Sequence, residues 1–154
     1  MDAQLSIHRS VAVLIERGMP FERLQQASWI NTIEDRLGFP IPVALRALTT
    51  NYAFPAVSVA GVELFANLGD GSDVDLTVAP FKDPHLFKWF QANRRIQFAR
   101  PATGSYDPVC LESRGKVSTA VEVFDHEDIL LARKKVKSTV FSPSLEELLQ
   151  RAAA

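Results

Sequence analysis

The sequence predicts an α+β fold in a single domain, and three features of its hydrophobic pattern indicate this class. Apolar residues recur at helical spacing in the first third of the chain. From Ala56 they alternate at period two, which is typical of strands. Helical spacing returns over residues 84–93 and at the C-terminus. We therefore expect an antiparallel-rich sheet that helices cover on one side.

Three helices are predicted before the strands. The first covers residues 4–17 and stops at Gly18. The second starts near Ser28, a candidate N-cap, and ends at Gly38. Pro42 suits the first turn of a third, short helix. The residues expected to face the core are Ile7, Val11, Leu14, Ile15, Ile30, Ile33, Leu37, Val43, Leu45 and Leu48.

The strand region opens with a predicted hairpin around Ala60-Gly61, because apolar residues alternate on both sides of this pair. Residues 67–72 form a loop with two glycines, and residues 75–78 are a candidate short strand. The helix over 84–93 is expected to turn three side chains inward, those of Leu86, Trp89 and Phe90.

A second hairpin is predicted within residues 98–128. The apolar run 109–111 and the alternating residues 121–123 flank the turn residues 113–116. The basic run 133–137 is predicted to lie on an edge strand, where charge prevents pairing with other chains. A last helix follows from a capping box and a buried leucine stripe, formed by Ser144 with Glu147 and by Leu145, Leu148 and Leu149.

Composition narrows the class of protein. The chain has 154 residues, of which 47% are hydrophobic and 23% are charged, as in an ordinary globular domain. Seventeen basic and eighteen acidic residues argue against a dedicated nucleic-acid binder. A single cysteine excludes an intramolecular disulfide and fits a reducing compartment. Without a signal-peptide pattern or a long apolar run, we expect a cytoplasmic protein that has no membrane segment.

Several short motifs occur in an order that is typical of one family. They are Gly-Ser-Tyr-Asp-Pro-Val-Cys-Leu at 104–111, Phe-Asp-His-Glu-Asp-Ile-Leu at 124–130 and Ser-Pro-Ser-Leu-Glu-Glu-Leu-Leu at 142–149, preceded by Trp29-Ile30, Glu34, Leu37-Gly38 and Pro42. This order resembles the SUKH superfamily over about residues 26–150, and residues 1–25 are then a variable N-terminal helical extension. The chain departs from the family pattern at Asn51, which is followed by Tyr52 where members often carry glycine.

The resemblance implies a non-enzymatic protein-binding module without a cofactor or metal. The family includes bacterial immunity proteins, which bind toxins that are often nucleases with cationic surfaces, and yeast cell-wall-assembly regulators. We therefore expect an immunity protein that neutralises a toxin with a basic surface, and a regulatory or scaffold protein is the alternative. The expected assembly is a monomer or weak homodimer. Candidate contact residues are Asp70, Asp73, Asp75, Tyr106, Asp107, Asp125, Glu127 and Asp128.

The same acidic residues allow other interpretations. Asp73 and Asp75 are spaced like the metal-binding strand of nucleotidyltransferases, but the Gly-Ser pair at 71–72 leaves no room for the intervening helix. A calcium loop counted from Asp70 would place Val74, which has no side-chain oxygen, at a ligand position. The clusters at 106–107 and 125–128 also suit turns and helix caps, and in that interpretation Tyr106 buries its ring.

The remaining chemical signals are weaker. Cys110 and His126 could be a nucleophile and its base, but a cysteine between two apolar residues is more often a buried hydrophobe. The three histidines, His8, His85 and His126, lack zinc-ligand spacing. A nucleic-acid stripe would need residues 133–137 together with Lys88, Arg94 and Arg95. The aromatic residues Trp29, Phe87, Trp89 and Phe90 are expected in the core.

Overall fold

The computed structural model describes residues 2–24 and 29–154, and an antiparallel sheet organises this part of the chain. Its helices are α1 (Ala3–Glu16), α2 (Trp29–Leu37), α3 (Val43–Asn51), α4 (Pro84–Ala92), α5 (His126–Leu130) and α6 (Leu145–Ala153). Its strands are β1 (Glu22–Arg23), β2 (Tyr52–Ala53), β3 (Val57–Val59), β4 (Val62–Leu64), β5 (Arg95–Pro101), β6 (Val109–Glu112), β7 (Val121–Phe124) and β8 (Ser138–Ser142). A short 3-10 helix covers Ala79–Phe81. The α+β prediction is confirmed.

The sheet is a curled meander in which β3 to β8 pair in chain order, each antiparallel to the next. The β3–β4 turn has positive φ at both Ala60 (46°) and Gly61 (88°), which is the geometry that matches the strand twist. The curl brings this turn close to β8, so that a Cβ on Gly61 would lie 3.2 Å from the Phe141 ring. Both predicted hairpins are confirmed.

The main core lies between one face of the sheet and four helices, α1, α2, α3 and α6. Most residues predicted to face the core are buried there, but Ile15 and Val43 are exposed. In α3 the buried stripe consists of Ala44, Leu45, Ala47, Leu48 and Thr49. The capping box of α6 forms as predicted, since Ser144 Oγ accepts a hydrogen bond from Glu147 N. The candidate N-cap Ser28 lies outside the described residues.

A second, smaller cluster occupies the opposite face, so the expectation of helices on one side is wrong. Successive residues of a strand face opposite ways, and Cys110 therefore points away from its neighbours Val109 and Leu111. It packs with Phe90 of α4, Phe124 of β7 and Ile129 of α5. Among the inward residues predicted for α4, Phe90 is buried, whereas Leu86 and Trp89 are half-buried.

A bulge in β5 determines which side chains reach this second face. Gln97 pairs with Cys110 and Ala99 pairs with Val109, so Phe98 is the extra residue. Phe98 and Ala99 both join the main core, and Arg100 then returns to the side on which Gln97 lies.

Two local expectations need correction, those for residues 75–78 and for residues 133–137. Residues 75–78 are not a strand, since Asp75 makes a single bridge to Ala66 and turns follow it. The basic run 133–137 precedes the edge strand β8, which has no charged residue. Tyr52 leaves α3 in an extended conformation at φ −136° and enters β2, so the chain makes no left-handed turn there. The β1–β2 pair was not predicted.

Buried Asn67 joins the helical part of the chain to the sheet. Its side-chain oxygen accepts from Phe54 N at 2.7 Å, and its amide nitrogen donates to the carbonyls of Thr49, at 3.1 Å, and Tyr52. With 1% of its surface exposed, water cannot replace these partners.

We predict that Asn67→Ala lowers the free energy of unfolding by about 3 kcal/mol, because it leaves three buried backbone groups without partners. Urea denaturation measures the loss. Asn93→Ala is the matched control, because its exposed amide bonds one carbonyl, that of Trp89, and it should cost less than about 1 kcal/mol. Equal losses in the two variants would contradict this role for Asn67.

Candidate functional site

A cavity of about 560 Å³ opens on the second face of the sheet, in the size range of ligand pockets. It lies between β5, the segment 73–86 and the start of α5. The buried side chains Phe65 and Phe90 line its floor together with Pro80. Its polar and rim residues are Asp73, Lys82, Asp83, His85, Gln97, Arg100, Ser105, Tyr106, His126 and Leu130.

One wall of the cavity is organised by the carboxylate of Asp75, which is 0% exposed. One oxygen accepts from Leu68 N at 2.8 Å and Gly69 N at 3.0 Å. The other accepts from Thr77 N at 3.0 Å and from the Thr77 hydroxyl at 2.5 Å. These four donors replace the water that burial removes, so Asp75 holds together the loop formed by residues 68–77.

The other two aspartates of this loop are placed differently. Asp70 is exposed and accepts from Ser72 N, and this hydrogen bond lowers the pKa of its carboxyl. Asp73 lies on the rim, with its carboxylate 3.4 Å from Lys82 Nζ. Because Asp75 is buried and Asp73 is exposed, the pair does not form the shared strand face of a nucleotidyltransferase site. Residues 2–24 and 29–154 contain no group of three or more His, Cys, Asp and Glu that could hold a metal.

Asp107 connects the 102–108 loop to α5. Its Oδ1 accepts from the His126 ring Nδ1 at 2.6 Å and from His126 N at 3.0 Å. Partial burial acts to raise the pKa of Asp107, but the hydrogen bonds from His126 outweigh it and hold the pKa below its ordinary value. Since an ionised carboxylate can only accept, Nδ1 carries the proton and Nε2 is the second polar atom of the ring.

Tyr106 stands at the mouth of the cavity beside this pair. Its ring lies edge-to-face with the His126 imidazole, with centroids 6.1 Å apart. The side chain is 81% exposed, so the contact with His126 positions the ring and does not bury it. The expectation that Tyr106 buries its ring is therefore wrong.

The remaining acidic candidates belong mainly to the start of α5. Asp125 is its N-cap and accepts from Asp128 N at 3.0 Å, as one interpretation of the sequence predicted. Asp128 is 1% exposed, accepts from Lys137 N and pairs with Arg133. The hydrogen bond from Lys137 and then the Arg133 guanidinium lower its pKa. Glu127 is exposed in the first turn.

The structure thus brings together part of the predicted set. Tyr106 and Asp73 line the cavity, and Asp107 supports His126 on its edge. Asp75, Asp125 and Asp128 are engaged inside the fold, whereas Asp70 and Glu127 lie on the surface outside the lining. The sequence interpretation missed three lining residues, Gln97, Arg100 and Leu130. For Gln97 a signal was available, because it alternates with buried Ile96 and Phe98 and therefore faces the other side of the sheet.

The two cations that line the cavity are both paired with carboxylates. Arg100 donates from Nε and Nη2 to Glu63 Oε1, at 3.0 and 2.7 Å, across the β4–β5 pair. Lys82 pairs with Asp73. An anionic ligand would therefore have to displace a carboxylate from either cation.

Cys110 behaves as the buried hydrophobe that the sequence suggested. It is 0% exposed within the second cluster, and burial raises the pKa of its thiol. His126, proposed as its base, is bound to Asp107.

The residues of the proposed basic stripe are mostly engaged elsewhere. Arg95 lies between Glu112 and Glu122, at 3.4 and 3.0 Å. Arg94 donates to Ser113 O and stacks on Phe39, and Arg133 pairs with Asp128. These contacts leave the exposed lysines 134, 135 and 137 as the main basic group of that region.

No family model, no curated protein and no solved structure matches this chain. Within the described ranges, every helix is too short or too polar to cross a bilayer.

We predict that Asp107→Asn lowers the free energy of unfolding at pH 7 by about 1 kcal/mol, because it weakens two charge-assisted hydrogen bonds to His126. Since the pKa of Asp107 is lowered in the folded chain, the carboxylate stabilises the fold above its ordinary pKa of about 3.9. This contribution is lost as the pH falls through the lowered pKa.

Urea unfolding from pH 7 down into the acid range tests this, because the difference in stability between Asp107→Asn and wild type should shrink as the pH falls below the ordinary pKa. Glu127→Gln is the control, since Glu127 is exposed on the same helix. A constant difference between Asp107→Asn and wild type at every pH would show that the charge of Asp107 is unimportant.

Proposed function

We propose that this chain is a non-enzymatic protein-binding module whose contact surface is the mouth of the cavity. The observation that carries the proposal is the position of two exposed apolar side chains there. Tyr106 is 81% exposed and Leu130 is 44% exposed, and both line a cavity with the phenylalanine floor described above. Exposed apolar side chains beside a preformed pocket are typical of protein-interaction sites.

The exposed apolar surface continues beyond the mouth. Leu131 follows Leu130 at the end of α5 and is 63% exposed. Tyrosine is enriched among residues that dominate binding energy, since its ring buries a large area while its hydroxyl stays hydrated. Because His126 and Asp107 already position the Tyr106 loop, binding would order few additional groups.

Charge has a secondary role in this proposal. Asp75, Asp107, Asp125 and Asp128 are engaged by donors of the chain itself, so they offer a partner little free charge. Asp70, Asp73 and Glu127 remain exposed. For a partner with a basic surface these three would speed encounter more than they would strengthen the complex.

The finer proposal is that the chain is an immunity protein that occludes the active site of a bacterial toxin. The motif order of residues 104–111, 124–130 and 142–149 supports it through the resemblance to the SUKH superfamily. The structure adds an independent argument, because an exposed aromatic beside a cavity suits a partner that presents a protruding segment.

Coexpression with candidate toxin domains, chosen from any that neighbouring genes encode, tests this proposal. We predict that the wild-type chain restores growth and binds the purified toxin domain, and that Tyr106→Ala weakens binding about 30-fold, or about 2 kcal/mol. The control is Val140→Ala on β8, which removes another exposed apolar side chain, 59% exposed and outside the cavity lining. Equal affinities of the two variants would reject the mouth as the contact surface, and binding without growth rescue would favour a regulatory or scaffold role.

A further inference from the structure

We propose that the cavity is a receptor for one uncharged aromatic side chain with a hydrogen-bonding tip, a tyrosine or tryptophan, presented by the protein partner. This inference rests on the proposed function and names the group that the partner inserts. Three properties of the lining carry it: its apolar floor, its free carboxamide and its paired charges.

The first property selects a large apolar group. Phe65 and Phe90, which are 6% and 1% exposed, lie below half-buried Leu86. The accessible apolar surface comes from half-buried Val74, Ala79 and Leu86 and from exposed Tyr106, whose ring can make stacked or edge-to-face contacts with an aromatic guest. At about 560 Å³ the cavity can enclose a whole aromatic side chain together with part of its neighbouring backbone.

The second property selects a polar tip. Gln97 reaches the cavity from the middle of β5, and its carboxamide makes no hydrogen bond to any described residue. A carboxamide offers both donor and acceptor atoms. A phenylalanine or leucine seated on it would remove its water without replacing the hydrogen bonds, and this costs binding energy. A phenol hydroxyl or an indole N–H instead forms a hydrogen bond with the carboxamide and so replaces the water that is lost.

The third property excludes charged side chains. Lys82 is paired with Asp73, and Arg100 is paired with Glu63. The other carboxylate of the lining, that of Asp83, caps α4 and accepts from His85 N and Leu86 N. A lysine, arginine or glutamate from the partner would lose its hydration on entry and would find each opposite charge already paired or held by backbone amides. The inserted group is therefore uncharged, and any basic residues of the partner lie outside the cavity.

Amino-acid amides test this without a partner protein. We expect N-acetyl-tyrosinamide to give saturable shifts of the Leu86 and Leu130 methyl resonances in NMR, with a Kd on the order of millimolar. N-acetyl-phenylalaninamide should bind about tenfold more weakly, and N-acetyl-lysinamide should give no saturable shift. Gln97→Leu should weaken tyrosinamide binding about tenfold and strengthen phenylalaninamide binding, because the carboxamide that phenylalaninamide leaves without water is gone.

Leu86→Trp fills the cavity and should abolish tyrosinamide binding, whereas Leu5→Trp, at an exposed position of α1 outside the lining, should preserve it. Stronger binding of lysinamide, or no saturable shift with tyrosinamide in wild type, would overturn the inference. If Leu86→Trp binds the toxin domain like wild type while Tyr106→Ala loses affinity, the inference fails and the proposed function stands. If both variants bind normally, both fail.

Discussion

The buried carboxylate of Asp75 is the interaction on which the cavity depends. It gathers Leu68 N, Gly69 N and both donors of Thr77, and thereby folds the segment between β4 and α4 back on itself. That segment supplies the Asp73, Val74, Pro80 and Lys82 wall of the cavity. A buried charge is costly unless its hydrogen bonds are complete, so loop and carboxylate stabilise each other.

The cavity also requires a sheet whose two faces differ, one packed on the main core and the other only partly covered by helices. The bulge at Phe98 gives the main core two consecutive side chains, Phe98 and Ala99, and leaves Gln97 and Arg100 on the other face. Helices α4 and α5 cover part of that face through the cluster around Phe90 and Cys110. The cavity lies where their cover ends, with Tyr106 and Leu130 at its mouth. Its chemistry follows from this position, because the strand residues Gln97 and Arg100 face it and loop residues form most of its rim.

Local signals in the sequence predicted the features that depend on near neighbours. The Ala60-Gly61 turn and the Ser144–Glu147 capping box required only residues a few positions apart. The cavity could not be predicted in this way, because residues from Phe65 to Leu130 meet in it through sheet pairing. The pattern Asp73-Val74-Asp75 suits a metal-binding strand and a loop anchor equally well, and tertiary contacts alone distinguish them. Alternation likewise suggested strand at 75–78, where the hydrogen bonds of Asp75 instead fix turns.

The most direct test of this account compares Asp75→Asn with Asp73→Asn in urea unfolding, with and without Mn²⁺. An asparagine at position 75 turns its NH₂ toward the two donors of Thr77 or the two amides of residues 68 and 69. The account predicts a loss of about 3 kcal/mol for Asp75→Asn, a loss below about 0.5 kcal/mol for Asp73→Asn, and no effect of Mn²⁺ on any of the three proteins. If Mn²⁺ raised the stability of the wild-type protein but of neither variant, this result would contradict the account and identify the two aspartates as metal ligands.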